Sequence, residues 1–103
     1  GAAIAYLSGG NLDCITRTIT NTIANVSGIV CDGAKSSCAA KIASSVFSAI
    51  MGYYMAVGNN VFQPGEGLVM DNLQDTVNAY TRMGRVGMSS TDITILNMMI
   101  GKE

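Results

Sequence analysis

The sequence contains no histidine, and this absence excludes several kinds of chemistry within the chain. Histidine-ligated zinc, Ser-His-Asp triads and histidine general bases all need an imidazole. Charge is also scarce, since 13% of the 103 residues are charged, against about 25% in typical soluble domains. The net charge of −1 provides no basic field, so we predict no nucleic-acid partner.

Tryptophan is absent and proline occurs once, whereas glycine (12) and methionine (7) are plentiful. Small residues let helices pack closely, and methionine fills irregular gaps. This composition predicts a tightly packed helical body with much of its surface covered by other protein. The apolar opening run, residues 1–7, has neither an initiator methionine nor the basic region of a signal peptide. We expect one helical region, residues 1–103, from the C-terminal part of a larger α-rich protein.

Apolar residues at spacings of three and four predict an all-α fold, a helical bundle around one central buried helix. That helix runs from about Cys38 to Val57 and is apolar nearly all round, with Lys41 as its only charge. Ser36 or Ser37 is predicted to cap it. A membrane span is the alternative, because the segment approaches the roughly 20 residues required. Lys41 and the interspersed serines favour a packed protein helix, so we predict no membrane partner.

A second helix follows Asn11, its predicted N-cap. One face of this helix is an apolar stripe, and the other face is rich in threonine. The stripe consists of Leu12, Ile15, Ile19, Ile23 and Val26. Further along, Asp71 and Gln74 predict a capping box for a fourth helix, and Ser89 or Ser90 a cap for the last helix.

The three cysteines are an odd number, which argues against a disulfide framework. Because the sequence shows no export signal, we expect reduced thiols and a cytoplasmic protein. Cys31 and Cys38 lie where a loop is predicted to enter the central helix, whereas Cys14 lies on the second helix. Helix N-termini stabilise thiolates, and two such cysteines can share a metal centre, although C-x6-C is not a standard zinc spacing. The alternative is that both are buried small hydrophobic residues.

Gly33, Ala34 and Lys35 lie just before the predicted central helix. Backbone N–H groups at such a helix start, with a lysine nearby, suit the carboxylate of a small substrate. The alternative is that Lys35 is simply solvated. The segment also nearly matches a phosphate-binding loop, but Ala34 separates the glycine from the lysine and no clear strand precedes it.

Residues 31–44 carry the motif Cys-Asp-Gly-Ala-Lys-x-x-Cys-Ala-x-Lys-Ile-Ala-Ser. This motif resembles the C-terminal part of the serine dehydratase α-chain-like proteins, and more narrowly their L-cysteine desulfidase branch. The similarity continues in order through residues 9–11, 25–28, 66–69 and 84–96. True L-serine dehydratases have their last two cysteines further apart, which favours cysteine over serine as the substrate.

The resemblance implies an oxygen-sensitive lyase with a [4Fe–4S] cluster, whose three cysteine ligands leave one iron open as a Lewis acid. Cys31 and Cys38 would be two of these ligands. The third cysteine and the catalytic base are expected in the N-terminal part of the parent protein. The implied reaction removes the α-proton and the β-thiol or β-hydroxyl of an amino acid, and the resulting enamine hydrolyses to pyruvate and ammonia.

The alternative function is a cofactor-free helical interaction or structural module that packs on a partner chain. In either case we expect the rest of the parent protein to be a partner, and a homo-oligomer is compatible with both. The chain alone is expected to be inactive, because one cluster ligand and the base are missing from it.

Overall fold

The computed structural model describes residues 1–31 and 33–102, and these residues form helices and connecting loops without any strand. Five α-helices follow in the order α1 (Ala2–Leu7), α2 (Leu12–Val26), α3 (Ser36–Val57), α4 (Leu73–Arg82) and α5 (Ser89–Met99). A π-helical turn, Met83–Gly87, joins α4 to α5. The predicted all-α class and the bundle around a central apolar helix are confirmed.

The helix caps only partly follow the sequence prediction. Asn11 caps α2 as predicted, because its Oδ1 accepts the Cys14 N–H at 2.9 Å. The serine caps predicted for α3 and α5 are wrong. The N-cap positions are Lys35 and Met88, and neither side chain makes a capping hydrogen bond.

The cap of α4 lies one residue later than predicted. Asn72 Oδ1 accepts the Asp75 N–H at 2.8 Å, and Asn72 Nδ2 donates to the Asp75 carboxylate at 2.8 Å. Asn72 and Asp75 thus take the positions that the sequence assigned to Asp71 and Gln74. The capping pair has the predicted spacing of three residues, but the helix begins one residue later than predicted.

Helices α2 and α3 pack against each other through small and polar side chains. Their buried residues include Thr18 and Asn21 in α2, and Ser48, Ala49 and Gly52 in α3. We call these five residues the α2–α3 seam. Gly52 allows the close approach, because a Cβ at that position would lie 3.2 Å from the Thr18 carbonyl oxygen and 3.2 Å from the Asn21 Cβ.

Asn21 is the hydrogen-bonding centre of the seam and is only 1% exposed. Its Nδ2 donates to the carbonyl oxygens of Gly52 and Asn60, both at 3.1 Å. Its Oδ1 accepts the Phe62 N–H at 3.0 Å. One side-chain amide therefore joins α2, α3 and the segment that follows α3.

The fully buried residues of α2 lie on its threonine-rich face, whereas Leu12, at the start of the apolar stripe, is 78% exposed. The buried hydroxyls are satisfied inside the helix. Thr18 Oγ1 donates to the Cys14 carbonyl at 2.8 Å, and Thr20 Oγ1 donates to the Thr16 carbonyl at 3.0 Å. Because these hydroxyls keep a hydrogen-bond partner, their burial avoids the penalty of an unpaired polar group.

Helix α3 has two unlike faces. The buried face carries the small residues Ser48, Ala49, Gly52 and Ala56. The exposed surface of the same helix carries large apolar side chains, namely Ile42, Val46, Phe47, Ile50, Met51, Tyr54 and Val57. The helix that the sequence predicts to be buried nearly all round is therefore buried on one face within this chain.

Helix α3 is also long and apolar enough to cross a membrane, judged by its 22 residues and their composition. No other helix of the described residues passes that test. Core helices of water-soluble proteins pass it as well, so the criterion does not separate the two readings weighed from the sequence.

The chain exposes more surface than a compact protein of its size. Its accessible area is 6760 Å², whereas a folded monomer of 10.7 kDa exposes about 5,500 Å². Its radius of gyration is 15.4 Å, against about 13 Å for a compact chain of this length. Its shortest dimension is 16 Å, little more than one helix diameter of about 10–12 Å. The helices therefore form an open layer.

Candidate functional site

The connector between α2 and α3 contains two consecutive residues with left-handed backbone, Gly33 (φ +69°) and Ala34 (φ +57°). Glycine adopts this conformation readily, whereas it is unfavourable for alanine by roughly 1–2 kcal/mol. The connector thus reaches α3 through a tight, partly strained turn. Asp32, which belongs to the sequence motif, lies outside the described residues.

Cys31 is exposed on this connector, and its sulfur accepts a hydrogen bond from the Gly33 N–H at 3.3 Å. The turn at Gly33 therefore folds a backbone donor back onto the thiol. Hydrogen bonds to the sulfur are a recurring feature of cysteines that bind iron–sulfur clusters. Cys31 thus has the exposure and the hydrogen-bond partner that the predicted metal ligand needs.

Cys38 lies in the first turn of α3 and is half-buried. Its N–H donates to the Lys35 carbonyl at 2.9 Å, which closes that first turn. Cys31 and Cys38 therefore both lie at the N-terminal end of α3. None of the three cysteines, all within the described residues, is in a disulfide, as the sequence predicts. No finding tests their assignment as metal ligands, which stays a prediction.

The predicted carboxylate-binding residues Gly33, Ala34 and Lys35 are all exposed at the start of α3. The Gly33 N–H already donates to the Cys31 sulfur, so a carboxylate would have to compete with that sulfur for it. Lys35 occupies the N-cap with extended backbone (φ −89°, ψ 175°). The assignment of these three residues to a substrate carboxylate remains a prediction.

Lys41 fixes the connector from within α3. Its ammonium nitrogen donates to the Val30 carbonyl at 2.8 Å, one residue before Cys31. The sequence marks Lys41 only as the single charge of the central helix. Its contact shows that this charge holds the backbone that carries the Cys31 thiol.

Helix α5 lies opposite the connector and forms a wall of the site. The sequence analysis did not predict this wall. A cavity of about 250 Å³ lies between them, lined by Cys31, Gly33, Asp92, Ile95, Leu96 and Met99. A Cβ on Gly33 would lie 2.8 Å from the Met99 Cε, so the connector and α5 are in close contact there. We call Cys31, Gly33, Cys38, Leu96 and Met99 the cysteine corner.

The spacing of the cavity-lining residues of α5 could have shown that they share one helix face, but not that this face lies against the connector. Residues 92, 95, 96 and 99 are separated by three, four and seven positions, which places them on one side of a helix. The contact between Gly33 and Met99 spans 66 positions of sequence, and no local pattern predicts a contact of that range.

Cys14 lies at the far end of the α2–α3 pair from the cysteine corner. Near the start of α2, Arg17 Nη1 donates to Asn59 Oδ1 at 2.8 Å, just past the C-terminus of α3. Cys38 is in the first turn of α3, and the helix between them is roughly 30 Å long. This position agrees with the sequence analysis, which does not assign Cys14 as a ligand.

A larger cavity of about 410 Å³ lies between the loop at residues 64–71 and α4. Its lining includes Asp71, Asp75 and Arg82, but no cysteine among the described residues. We place the candidate site at the cysteine corner instead, because an exposed thiol with a backbone N–H donor lies there.

Comparison with known proteins supports the resemblance carried by residues 31–44. A family profile described as serine dehydratase alpha chain matches residues 1–97. A UPF0597 protein of Lachnoclostridium phytofermentans is 50% identical over 100 residues, covering 97% of this chain and 24% of the relative. A UPF0597 protein of Finegoldia magna is 46% identical over 102 residues, covering 99% of this chain and 24% of the relative.

A third relative, a UPF0597 protein of Desulfitobacterium hafniense, is 48% identical over 102 residues, covering 99% of this chain and 24% of that protein. The chain therefore spans about a quarter of the length of the curated relatives it matches. No solved structure matches it. The profile match along nearly the whole chain shows that it belongs to the serine dehydratase alpha chain family.

Proposed function

We propose that this chain is the cluster-binding region of an iron–sulfur lyase. The whole enzyme would eliminate the β-substituent of L-cysteine, or of L-serine, to give pyruvate, ammonia and sulfide or water. Family membership supports the lyase class. The observation that carries the proposal is the exposed Cys31 thiol with the Gly33 N–H on its sulfur, at the end of α3 that also holds Cys38.

The donor atoms at the cysteine corner fit a cluster in part. Cysteine thiolates are the usual ligands of [4Fe–4S] clusters, and hydrogen bonds to their sulfurs tune the potential. Cys31 and Cys38 would supply two of them, and Cys31 already has such a hydrogen bond. Within residues 1–31 and 33–102, no three His, Cys, Asp or Glu side chains are grouped to hold a metal ion. The third thiolate would therefore come from the remainder of the protein.

When bound through three cysteines, such a cluster supplies an open iron that acts as a Lewis acid on the β-substituent. The residues of this chain hold and orient it. Cys38 would bind it from the first turn of α3, at the helix end that carries partial positive charge. Cys31 would bind it from the connector, where the Gly33 N–H donates to the Cys31 sulfur and Lys41 fixes the backbone at Val30. The base that removes the α-proton would also come from outside this chain.

The open face of the helical layer supports the involvement of further protein. The accessible surface exceeds that of a compact monomer by about 1,300 Å², more than the roughly 800 Å² that one partner buries in a standard interface. The apolar residues of α3, such as Phe47 at 71% exposure, belong to this excess. We propose that the rest of the polypeptide, about three quarters of the relatives' length, covers this face.

The same exposed face favours a second candidate function. A helical layer whose largest apolar side chains point outward could serve as an interaction module that carries no cofactor. In that case Cys31 and Cys38 would be structural, and their replacement would leave any activity of the parent protein unchanged.

The deciding experiment uses the longest native parent protein, reconstituted anaerobically with iron and sulfide. We expect a broad visible absorbance band, and pyruvate release from L-cysteine and, more slowly, from L-serine. Cys31→Ala should abolish the band and reduce pyruvate release by more than about a hundredfold, because a ligand is lost. Cys14→Ala is the matched control and should retain both. A parent protein with neither band nor pyruvate would refute the lyase and leave the interaction module.

A further inference from the structure

The cavity between the connector and α5 differs in polarity from one end to the other. Asp92 is its only charged residue among those described, and it lies seven residues before Met99. Seven residues of α-helix span about 10 Å, so the carboxylate and the Met99 end are well separated. At the other end the lining is apolar, since Met99 lies beside Gly33 and Leu96 precedes Met99 by three residues on α5.

Cysteine and serine differ only in the β-substituent, a thiol or a hydroxyl, which is the group that the apolar end of this cavity would contact. A thiol is a weak hydrogen-bond donor and behaves as a small hydrophobic group. A hydroxyl loses its water partners when it enters such a wall and finds no replacement there. Apolar pockets discriminate against an added hydroxyl by about a hundredfold at most, so the expected preference is moderate.

We infer that Leu96 and Met99 of α5 form a specificity wall that selects a β-thiol substrate over a β-hydroxyl substrate. This inference rests on the proposed lyase function. Because Cys31 lines the same cavity, a β-substituent bound beside Cys31 would lie next to the Leu96 and Met99 side chains. The Met99 methyl group lies beside Gly33, two residues after Cys31, so Met99 is the first residue to test.

The test compares Met99→Gln with Met99→Leu in the anaerobically reconstituted parent protein. We expect Met99→Gln to lower the ratio of kcat/KM for L-cysteine to that for L-serine about tenfold, because its amide can hydrogen-bond a hydroxyl. Met99→Leu keeps the wall apolar and should change the ratio by less than about twofold. The visible cluster band should be equal in both variants and in the wild type.

A binding measurement provides a readout that is independent of turnover. The dissociation constants of 3-mercaptopropionate and 3-hydroxypropionate, which lack the α-amino group, can be measured by calorimetry on the same proteins. The preference for the thiol compound should fall in Met99→Gln and persist in Met99→Leu. If Met99→Gln loses the cluster, Leu96→Gln tests the same wall from its other residue.

The possible failures are distinct. An unchanged substrate ratio in Met99→Gln and Leu96→Gln, with the band intact and pyruvate formed, overturns the specificity wall and leaves the lyase standing. A wild-type parent protein without band or pyruvate overturns the lyase and the specificity wall together.

Discussion

The α2–α3 seam and the cysteine corner share one helix, α3, and are built in opposite ways. In the seam, buried polar groups are paired, and Asn21 alone makes three hydrogen bonds to backbone atoms. In the corner, the Cys31 thiol is exposed, the backbone is left-handed at Gly33, and the contact with Met99 is apolar. The seam is organised for stability, whereas the corner leaves a reactive atom accessible.

This contrast predicts which property of the protein each substitution should change. Changes in the seam should alter the free energy of unfolding, because they disturb buried and satisfied groups. If the proposed function holds, changes in the corner should alter cluster binding or substrate preference, with a smaller effect on the free energy of unfolding because the affected atoms are exposed. In the parent protein, the two seam variants are tested by unfolding alone and the corner variant by unfolding and KM together.

The largest expected effect is that of Asn21→Ala. The substitution removes three hydrogen bonds from a residue that is 1% exposed, and each contributes about 1 kcal/mol. We therefore expect the free energy of unfolding, measured in urea by circular dichroism, to fall by about 3 kcal/mol. Asn25→Ala, an exposed asparagine on the same helix, is the control and should change it by less than about 0.5 kcal/mol. Equal effects of the two variants would show that the amide does not hold the seam.

A smaller effect is expected from Gly52→Val. A Cβ at Gly52 would lie 3.2 Å from the Thr18 carbonyl oxygen and from Asn21, so α2 and α3 must move apart. Overpacking of this kind destabilises by about 2 kcal/mol. Gly28→Val is the matched control, because no atom lies within 4 Å of a Cβ built there. A Gly52→Val protein as stable as its control would mean that the helices do not pack as closely as described.

The smallest effect on stability is expected from Gly33→Ala. Alanine at φ +69° is destabilising by about 1 kcal/mol, and its Cβ would also meet the Met99 methyl group at 2.8 Å. Gly9→Ala has the same backbone penalty (φ +84°) but meets nothing within 4 Å. Both should lower the free energy of unfolding alike, and only Gly33→Ala should raise the KM for L-cysteine. Equal KM values for L-cysteine in Gly33→Ala and Gly9→Ala would show that the cysteine corner has no special role in substrate binding.

The sequence predicted the helices and the family, because both rest on local patterns. Apolar spacing located α2, α3 and α5, and Asn11 was correctly assigned as a cap. The motif at residues 31–44 carried the resemblance that the family profile confirms. The error at α4 came from neighbouring residues with similar capping chemistry, since Asp71 and Asn72 can both accept a backbone N–H.

The sequence did not predict which face of α2 would be buried, or that α5 would border the thiol. Threonine counts as polar in any hydropathy pattern, although the Thr18 hydroxyl bonds its own helix and leaves its methyl group to pack. The wall of Leu96 and Met99 depends on a long-range contact with Gly33. Such contacts arise from the whole topology, which local periodicity does not encode.

The threonine-rich face of α2 should remain solvated in the folding chain before α2 packs against α3. A hydroxyl that bonds the carbonyl four residues earlier can rotate toward water whenever the face is uncovered. Thr18, Thr20 and Thr22 therefore present hydrocarbon to a partner helix and hydroxyl groups to solvent. An isoleucine face would expose apolar surface and favour aggregation before α3 packs against it. The threonine face can be solvated during synthesis and assembly, and it still packs closely against α3 in the folded chain.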